Sequence, residues 1–410
     1  MPRNLSSVCE WAAYPHRGDQ WVHRGGRYRN GGADYTSVVH SLLKNLDWRR
    51  FLARPQLPSP PAEVLDALRR EPILVTGAGG SIGSALALRL GALGTRKLVL
   101  LDASESNLYA LERDWAAAPL AAPATVSRMT AVLGSAADEA LLNEIFATHA
   151  PQVVFHAAAF KHVPLMEQQP LAAIQNNIFA TEALARAAEA HDARVVLLST
   201  DKAVEPASVM GATKRVAEQI VLAHGGTVLR LANVLASRDS VAEIFARQIV
   251  QGGPVTVTDP AARRYFLALD EAVDLLLASA GDTEAGALLA PILPAAHSIA
   301  ELARFMIDEL APNSNIAFQL IGNRPGDKQT EKLWSKVELI HPVNSGALVS
   351  IESRLLTTGQ LAAGLASLHG AVDARDLGDA LKYLRALVPD YTPSRAVLAL
   401  AQQCGPRVCL

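Results

Sequence analysis

The stretch "PILVTGAGGSIGSALALRLGALG", from Pro72 to Gly94, restricts the fold of this chain more than any other. A short apolar run ends in a glycine-rich turn, and a run with helical spacing follows at once. Gly77, Gly80 and Gly83 are spaced G-x-x-G-x-x-G, with Ser81 and Ile82 between the last two. Glycine lets the backbone turn tightly and approach a pyrophosphate, whose charge the first turn of a helix favours. The spacing differs from the G-x-G-x-x-G of ordinary two-domain dehydrogenases. A glycine pattern alone is a weak signal, but this one follows a strand and opens a helix.

It also has a partner. Asp102 ends the next apolar run, "KLVLLD", 19 residues after Gly83. A carboxylate there can accept both ribose hydroxyls of an adenosine and repels a 2′-phosphate, so NAD is expected and NADP fits less well. In "HAAAFKH" the small residues Ala157 and Ala158 let the chain pass beneath such a cofactor, and Asn177 lies on the following helix.

The rhythm continues after this pair. "TAVLG", "QVVFHAA", "RVVLLST" and "TVLRLANV" read as strands, the last expected to be one continuous strand. "DEALLNEIFATHA", "PLAAIQNNIFATEALARAAEAHD" and "SVMGATKRVAEQIVLAHG" read as helices, each unbroken. Short apolar strands alternating with longer helices predict an α/β fold, a Rossmann-like doubly wound parallel sheet covered on both faces. A smaller C-terminal substrate-binding α/β subdomain is expected over the carboxyl ends of the strands. The expected division is an irregular leader and linker helix at 1–70, a dinucleotide-binding domain at 71–250, and a substrate-binding part with closing helices at 251–410, interleaved with the second. Residues 1 to about 45, including "HRGDQWVHRGGRYRNGGADY", show neither helical nor strand period and read as irregular.

Totals exclude several classes. A chain of 410 residues is too long for one compact core, and a formal charge of −2 argues against nucleic-acid binding. Cys9, Cys404 and Cys409 form neither a disulfide framework nor a metal site, so no metal and a reducing, cytoplasmic setting are expected. No run of roughly 18 apolar residues offers a membrane span.

"LLSTDKAVEPASVMGATKR" brings Thr200, Asp201 and Lys202 to the end of a strand and Met210 and Lys214 to the helix after it. Met210 and Lys214 are four apart and share one helix face. Many nucleotide-dependent oxidoreductases carry a tyrosine and then a lysine at this spacing, and a thioether cannot replace the phenol as a proton carrier.

Six ordered motifs carry a resemblance: "VTGAGGSIGS", "HAAAFKHVPLMEQQP", "STDKAVEPASVMGATKR", "ANVLASRDSV", "GGPVTVTDPAARRYF" and "RPGDKQTEKL". Together they resemble the CapD-type polysaccharide biosynthesis branch of the extended short-chain dehydrogenase/reductases, which contains UDP-N-acetylglucosamine 4,6-dehydratases. The resemblance runs from about residue 50 to "LVPDYTPS". Long members carry membrane helices and a further domain, and typically have methionine in place of the tyrosine. This sequence is expected to match a soluble catalytic half with a short leader.

The resemblance implies the following chemistry. NAD takes hydride from C4 of a UDP-sugar, water leaves from C5–C6, and the hydride returns to C6. Lys214 would hold the nicotinamide ribose and Thr200 the C4 oxygen. Asp201 and Lys202 are the candidates for the C6 hydroxyl and the C5 proton, in either order, and a lysine held beside the cationic nicotinamide would be pushed towards its neutral, basic form. Lys161, Asn233, Ser237, Arg238 and Ser240 would contact the sugar nucleotide, with Arg264 and Arg324 as diphosphate clamps. Family members often form oligomers, so a homo-oligomer is one state open to the chain.

The sequence also departs from the family pattern. Phe160 replaces a tyrosine, Ser135 follows Gly134 in place of an aspartate, and Ala232, Ala236 and Asp239 replace glycines. A position that needs positive φ would be strained by these residues. Two alternatives therefore stand beside the dehydratase: a nucleotide-sugar epimerase of the same superfamily, and a degenerate homologue that only binds. Simple decay would have changed the neighbouring positions too, yet Thr200, Asp201, Lys202 and Lys214 all stand.

Overall fold

The computed structural model describes residues 21–23, 26–28, 35–118, 128–281, 286–343 and 346–404. Nine strands form the central sheet: β1 (Pro72–Thr76), β2 (Lys97–Asp102), β3 (Arg128–Leu133), β4 (Val153–His156), β5 (Arg194–Thr200), β6 (Thr227–Leu231), β7 (Leu288–Pro291), β8 (Leu339–Pro342) and β9 (Leu348–Glu352). Their spatial order is β8-β9-β7-β6-β5-β4-β1-β2-β3. The strands from β3 through β7 run parallel, and β9 and β8 close one edge antiparallel.

The inner strands are continuous apolar runs because both faces are covered. Ile73, Leu74 and Val75 are completely buried, as are Leu98 and Leu100. The covering helices include α1 (Ser81–Leu93), α2 (Glu105–Ala117), α3 (Glu139–His149), α4 (Ala180–Glu189), α5 (Val209–Ala223), α6 (Val241–Val250), α7 (Leu269–Ser279), α8 (Ile299–Leu310), α9 (Thr358–Asp373) and α10 (Leu377–Leu387). Helix α1 packs beside α7, and α4 lies between α3 and α5. Chain order reverses where β1 sits between β2 and β4, so a crevice opens at the carboxyl ends of β1 and β4. The fold is a Rossmann-like doubly wound parallel sheet.

Two local readings are corrected. The helix expected from Pro170 onward is preceded by a separate one, Val163–Gln168, and holds a π-helical turn at Gln175–Phe179. Gln169 leaves helical geometry just before Pro170, which cannot continue a hydrogen-bonded turn. The strand "TVLRLANV" ends at Leu231, and Asn233–Val234 instead pairs in parallel with Phe266–Leu267. That departure swings the following loop back over the sheet edge.

The leader is not irregular throughout. Tyr35–Asn45 is a helix, and Trp21–His23 pairs antiparallel with Gly26–Tyr28. Val39 and Leu43 of that helix are buried among Ala242 and Phe245 of α6 and Leu302 of α8. Val39, Leu42 and Leu43 recur at helical spacing, and this apolar stripe packs against α6 and α8. Residues 1–20, 24–25 and 29–34 of the leader lie outside the described residues.

The sheet also continues beyond residue 250. Strand β7 joins it beside β6, and β9 and β8 extend it further. Among the described residues, no helix is long and apolar enough to cross a membrane.

Candidate active site

The glycine-rich turn is shaped by contacts that no side chain would permit. Gly77 has φ +66°, and a Cβ there would lie 2.6 Å from the Ala158 backbone nitrogen. A Cβ at Gly83 would lie 2.1 Å from the Gly77 carbonyl oxygen, and one at Gly80 3.2 Å from the same atom. The result is a cradle between β1 and α1, with Ala157 and Ala158 of the β4 end as its near wall. Asp102 fixes it from the side: Gly79 N–H donates to Oδ2 at 2.8 Å and Ser104 N–H to Oδ1 at 2.8 Å. Each carboxylate oxygen keeps a further acceptor position for a ribose hydroxyl. Ile82 packs half-buried on the core beneath. These residues fit a dinucleotide whose pyrophosphate lies against the first turn of α1.

At the end of β5 the chain makes a single 3₁₀ turn, Asp201–Ala203, capped by Thr200. The Thr200 hydroxyl donates to Asp201 Oδ1 at 2.9 Å and accepts from Lys202 N–H at 3.3 Å. Lys202 Nζ donates to the same Oδ1 at 2.9 Å and to Asn233 Oδ1 at 3.1 Å. Asp201 is completely buried, and its Oδ2 has no hydrogen-bond partner among the described residues. Burial works against a charge on Lys202, but the carboxylates of Asp201 and Glu331 outweigh it, and its pKa is raised. Without a cationic nicotinamide beside it, Lys202 is thus drawn towards its charged form.

Helix α5 abuts this turn. A Cβ on Gly211 would lie 2.3 Å from the Lys202 carbonyl oxygen, so only glycine admits the approach. Ser208 caps the helix by accepting Gly211 N–H at 3.1 Å. Met210 is buried, in an apolar cluster with Val163, Met166 and Leu365. Its thioether serves packing. Lys214, one turn on, is buried, and desolvation lowers its pKa to about 8 against the pull of Glu218. Beside it, the buried His156 ring bridges Thr76 Oγ1 at 2.6 Å and Thr181 Oγ1 at 3.0 Å. Burial first, and Lys214 second, push the imidazole down to about 3. His156 is a neutral brace across the β1–β4 crevice.

The residues expected on the substrate side divide. Asn233 reaches Lys202, and Asn177 pins the loop after β4 through Phe160 N–H at 2.8 Å and Phe160 O at 3.0 Å. Lys161 Nζ donates to the Arg238 carbonyl. Four others are occupied by the protein itself. Arg264 donates to the carbonyls of Arg263 at 2.8 Å, Lys328 at 2.6 Å and Gln329 at 3.0 Å, so it staples the 324–329 loop. Arg324 is half-exposed and pairs with Asp327 at 2.9 Å. Arg264 is engaged by that loop through both Nη atoms, whereas Arg324 commits only its Nε to the pair. The Ser240 hydroxyl caps α6 by accepting Glu243 N–H at 3.3 Å, and Ser237 Oγ donates to Val234 O at 2.9 Å. Arg238 turns to the other side of the site: its Nη1 donates to Gly79 O at 3.0 Å and Asn107 Oδ1 at 2.7 Å. Two of the three glycine replacements sit where strain was expected, Ala236 at φ 57° and Asp239 at φ 55°, whereas Ala232 does not take positive φ.

Residues 73–353 match the family described as polysaccharide biosynthesis protein. The chain belongs to this family. The capsular polysaccharide biosynthesis protein CapD of Staphylococcus aureus is 35% identical over 309 residues, covering 73% of this chain and 51% of that protein. The chain thus spans about half the length of CapD. A UDP-glucose 4-epimerase of Rickettsia rickettsii is 32% identical over 277 residues, 65% of this chain and 78% of that one. Among solved structures, Pen from Bacillus thuringiensis matches with a TM-score of 0.64 at 26% identity, covering 70% of this chain and 89% of Pen.

In this member of the polysaccharide biosynthesis family, two supporting networks went unread in the sequence. Arg230 is completely buried and donates to both oxygens of Glu218, at 2.9 Å each, and to both of Glu338, at 3.0 Å each. Ser199, next to Thr200, donates to Glu218 at 2.7 Å, and Arg215 pairs with it at 2.9 Å. Burial would raise Glu338, but Arg230 holds it at about 2, and Arg230 with Arg215 likewise lowers Glu218 against burial. This network locks α5 to β5 and β6, directly behind Lys214 and Thr200. The signal was there: an arginine inside the apolar strand "TVLRL" needs buried partners.

The second network is Glu167, which accepts Val209 N–H at 2.7 Å at the start of α5 and also binds the Ser394 hydroxyl. Gly326, at φ +80°, leaves no room for a Cβ against Ser208 and Val163, which presses the 324–328 loop onto the same helix start. Among the described residues, no cluster of His, Cys, Asp or Glu has the makings of a metal site.

Proposed function

We propose that this chain is an NAD-dependent nucleotide-sugar 4,6-dehydratase that converts a UDP-N-acetylhexosamine, UDP-N-acetylglucosamine first, to its 4-keto-6-deoxy derivative. The observation that carries this reading is the Thr200–Asp201–Lys202 turn, with a buried carboxylate shared by a hydroxyl and an ammonium and one carboxylate oxygen unpartnered. NAD, held in the glycine cradle and by Lys214, would accept hydride from C4 of the sugar and return it at C6.

The chain's own residues handle the protons. Thr200 takes the C4 hydroxyl proton and passes its own to Asp201, along the hydrogen bond already formed. With Asp201 protonated, only the Glu331 carboxylate still opposes the burial of Lys202, whose pKa falls; it gives up its proton to water and becomes a neutral amine. That amine removes the C5 proton, made acidic by the C4 ketone. Asp201 donates to the departing C6 hydroxyl, which leaves as water. Lys202 returns its proton to C5 after hydride reaches C6, and the pair recharges from solvent. No phenol is needed on α5, which explains how Met210 is tolerated.

The similarity to a UDP-glucose 4-epimerase favours a second reading, epimerisation at C4, which would leave the Asp201–Lys202 pair without a task. Incubating the purified protein with NAD and UDP-N-acetylglucosamine separates the two by mass spectrometry. A product lighter by one water is the expected result. An isomer of unchanged mass means an epimerase, and unaltered substrate defeats both readings.

A further inference from the structure

We infer that Arg238 and the loop 234–240 form a strap across the cofactor, with the Arg238 guanidinium on the dinucleotide pyrophosphate; the inference rests on the reading of NAD binding above. Three anchors hold Arg238 over the glycine cradle from different sides. Its Nη1 spans Gly79 O at 3.0 Å and Asn107 Oδ1 at 2.7 Å, from the glycine turn to the start of α2. Its backbone N–H donates to Ser81 Oγ at 2.8 Å, on the first turn of α1. Its carbonyl accepts from Lys161 Nζ, which arrives from the loop after β4.

The cation therefore lies on the turn whose glycines leave space for a pyrophosphate. No acceptor among the described residues takes its Nε or Nη2 hydrogens, so one edge of the guanidinium fork remains for phosphate oxygens. The loop is kept in an unfavourable backbone shape to deliver it. Ala236 and Asp239 both occupy the left-handed region. Asp239 N–H is held by Glu243 at 2.6 Å and Ser240 caps α6, so the strained loop is fastened to α6.

The proposed reaction accounts for the arrangement. Hydride leaves C4 and comes back at C6, so the cofactor ends each cycle in its starting form. Nothing requires it to leave, and a strap that must open for exchange does not slow turnover.

The test compares the wild-type protein with Arg238→Ala, Arg238→Lys and Lys161→Ala. Each is loaded with NAD and desalted, the retained nucleotide is counted after denaturation, and the Kd for NADH is measured by nucleotide fluorescence. Loss of a charged hydrogen bond to phosphate predicts roughly 10- to 100-fold weaker binding for Arg238→Ala, with partial recovery for Arg238→Lys. Lys161→Ala keeps the guanidinium but frees the loop, so it should release NAD faster. Melting curves without nucleotide identify any variant that fails to fold. Folded Arg238→Ala that retains NAD like the wild type overturns the strap while leaving the functional reading intact. Wild type that binds neither nucleotide overturns the functional reading and the strap with it.

Discussion

At the glycine-rich turn the binding surface is backbone, and its shape follows from positions where a Cβ would collide. On the facing side, the loops 234–240 and 324–328 carry long side chains, and there the arginines are bound to protein carbonyls or to neighbouring carboxylates. The first kind of surface leaves one arrangement open to the sequence. The second kind leaves several, because a guanidinium on a flexible stem finds whichever acceptors the fold brings near. Between them stands the Thr200–Asp201–Lys202 turn, which combines both: its position comes from β5 and its chemistry from side chains.

The largest effect is expected at the central turn. Lys202→Ala should lower turnover by about 10²- to 10⁴-fold, the usual worth of a general base, while NADH binding measured by fluorescence stays within a factor of two or so. Turnover near the wild-type rate would remove Lys202 from the mechanism. Behind the turn, Arg230→Ala leaves Glu218 and Glu338 buried without their cation. It should cost about 3–5 kcal/mol in urea unfolding. A loss below about 1 kcal/mol would mean that the network does not hold α5.

Lys214 gives a smaller effect with a definite sign. Burial depresses its pKa to about 8 in the fold, from 10.5 for an exposed lysine. The unfolded chain binds that proton more tightly, so the group's contribution to stability is present above pH 10.5 and is lost as pH falls through about 8. Lys214→Met removes the penalty. It should be more stable than wild type at pH 7, by at most about 3 kcal/mol, with the gap closing towards pH 10.5. An identical gap at both pH values contradicts the burial account. The smallest effect is in the strap: Ala236→Gly relieves a left-handed alanine and should raise stability by about 1 kcal/mol in the same assay.

What the sequence made legible follows the same division. The parallel sheet, the glycine cradle, Asp102 and the order Thr200, Asp201, Lys202, Lys214 could be read because each depends on local spacing. The strain at Ala236 and Asp239 was legible too, since φ is a local property. Arg230 with Glu338 was not: these residues stand 108 positions apart, and nothing in either neighbourhood names the other. The leader helix Tyr35–Asn45 escaped for a different reason: Val39, Leu42 and Leu43 do have helical spacing, but the Gly- and Arg-rich stretch ahead of them dominates the segment. Arg238 is expected at the sugar nucleotide because it follows β6; that its backbone N–H meets Ser81 on α1 depends on two left-handed residues and on the break after Leu231, which no local pattern announces.

In the proposed reaction hydride leaves C4 and returns at C6 while Asp201 and Lys202 remove water. UDP-N-acetylglucosamine carrying deuterium at C4 tests this directly, with the product read by mass spectrometry and NMR. The expected product has lost one water and carries the deuterium at C6. Deuterium that remains at C4 in a product of unchanged mass would contradict the account.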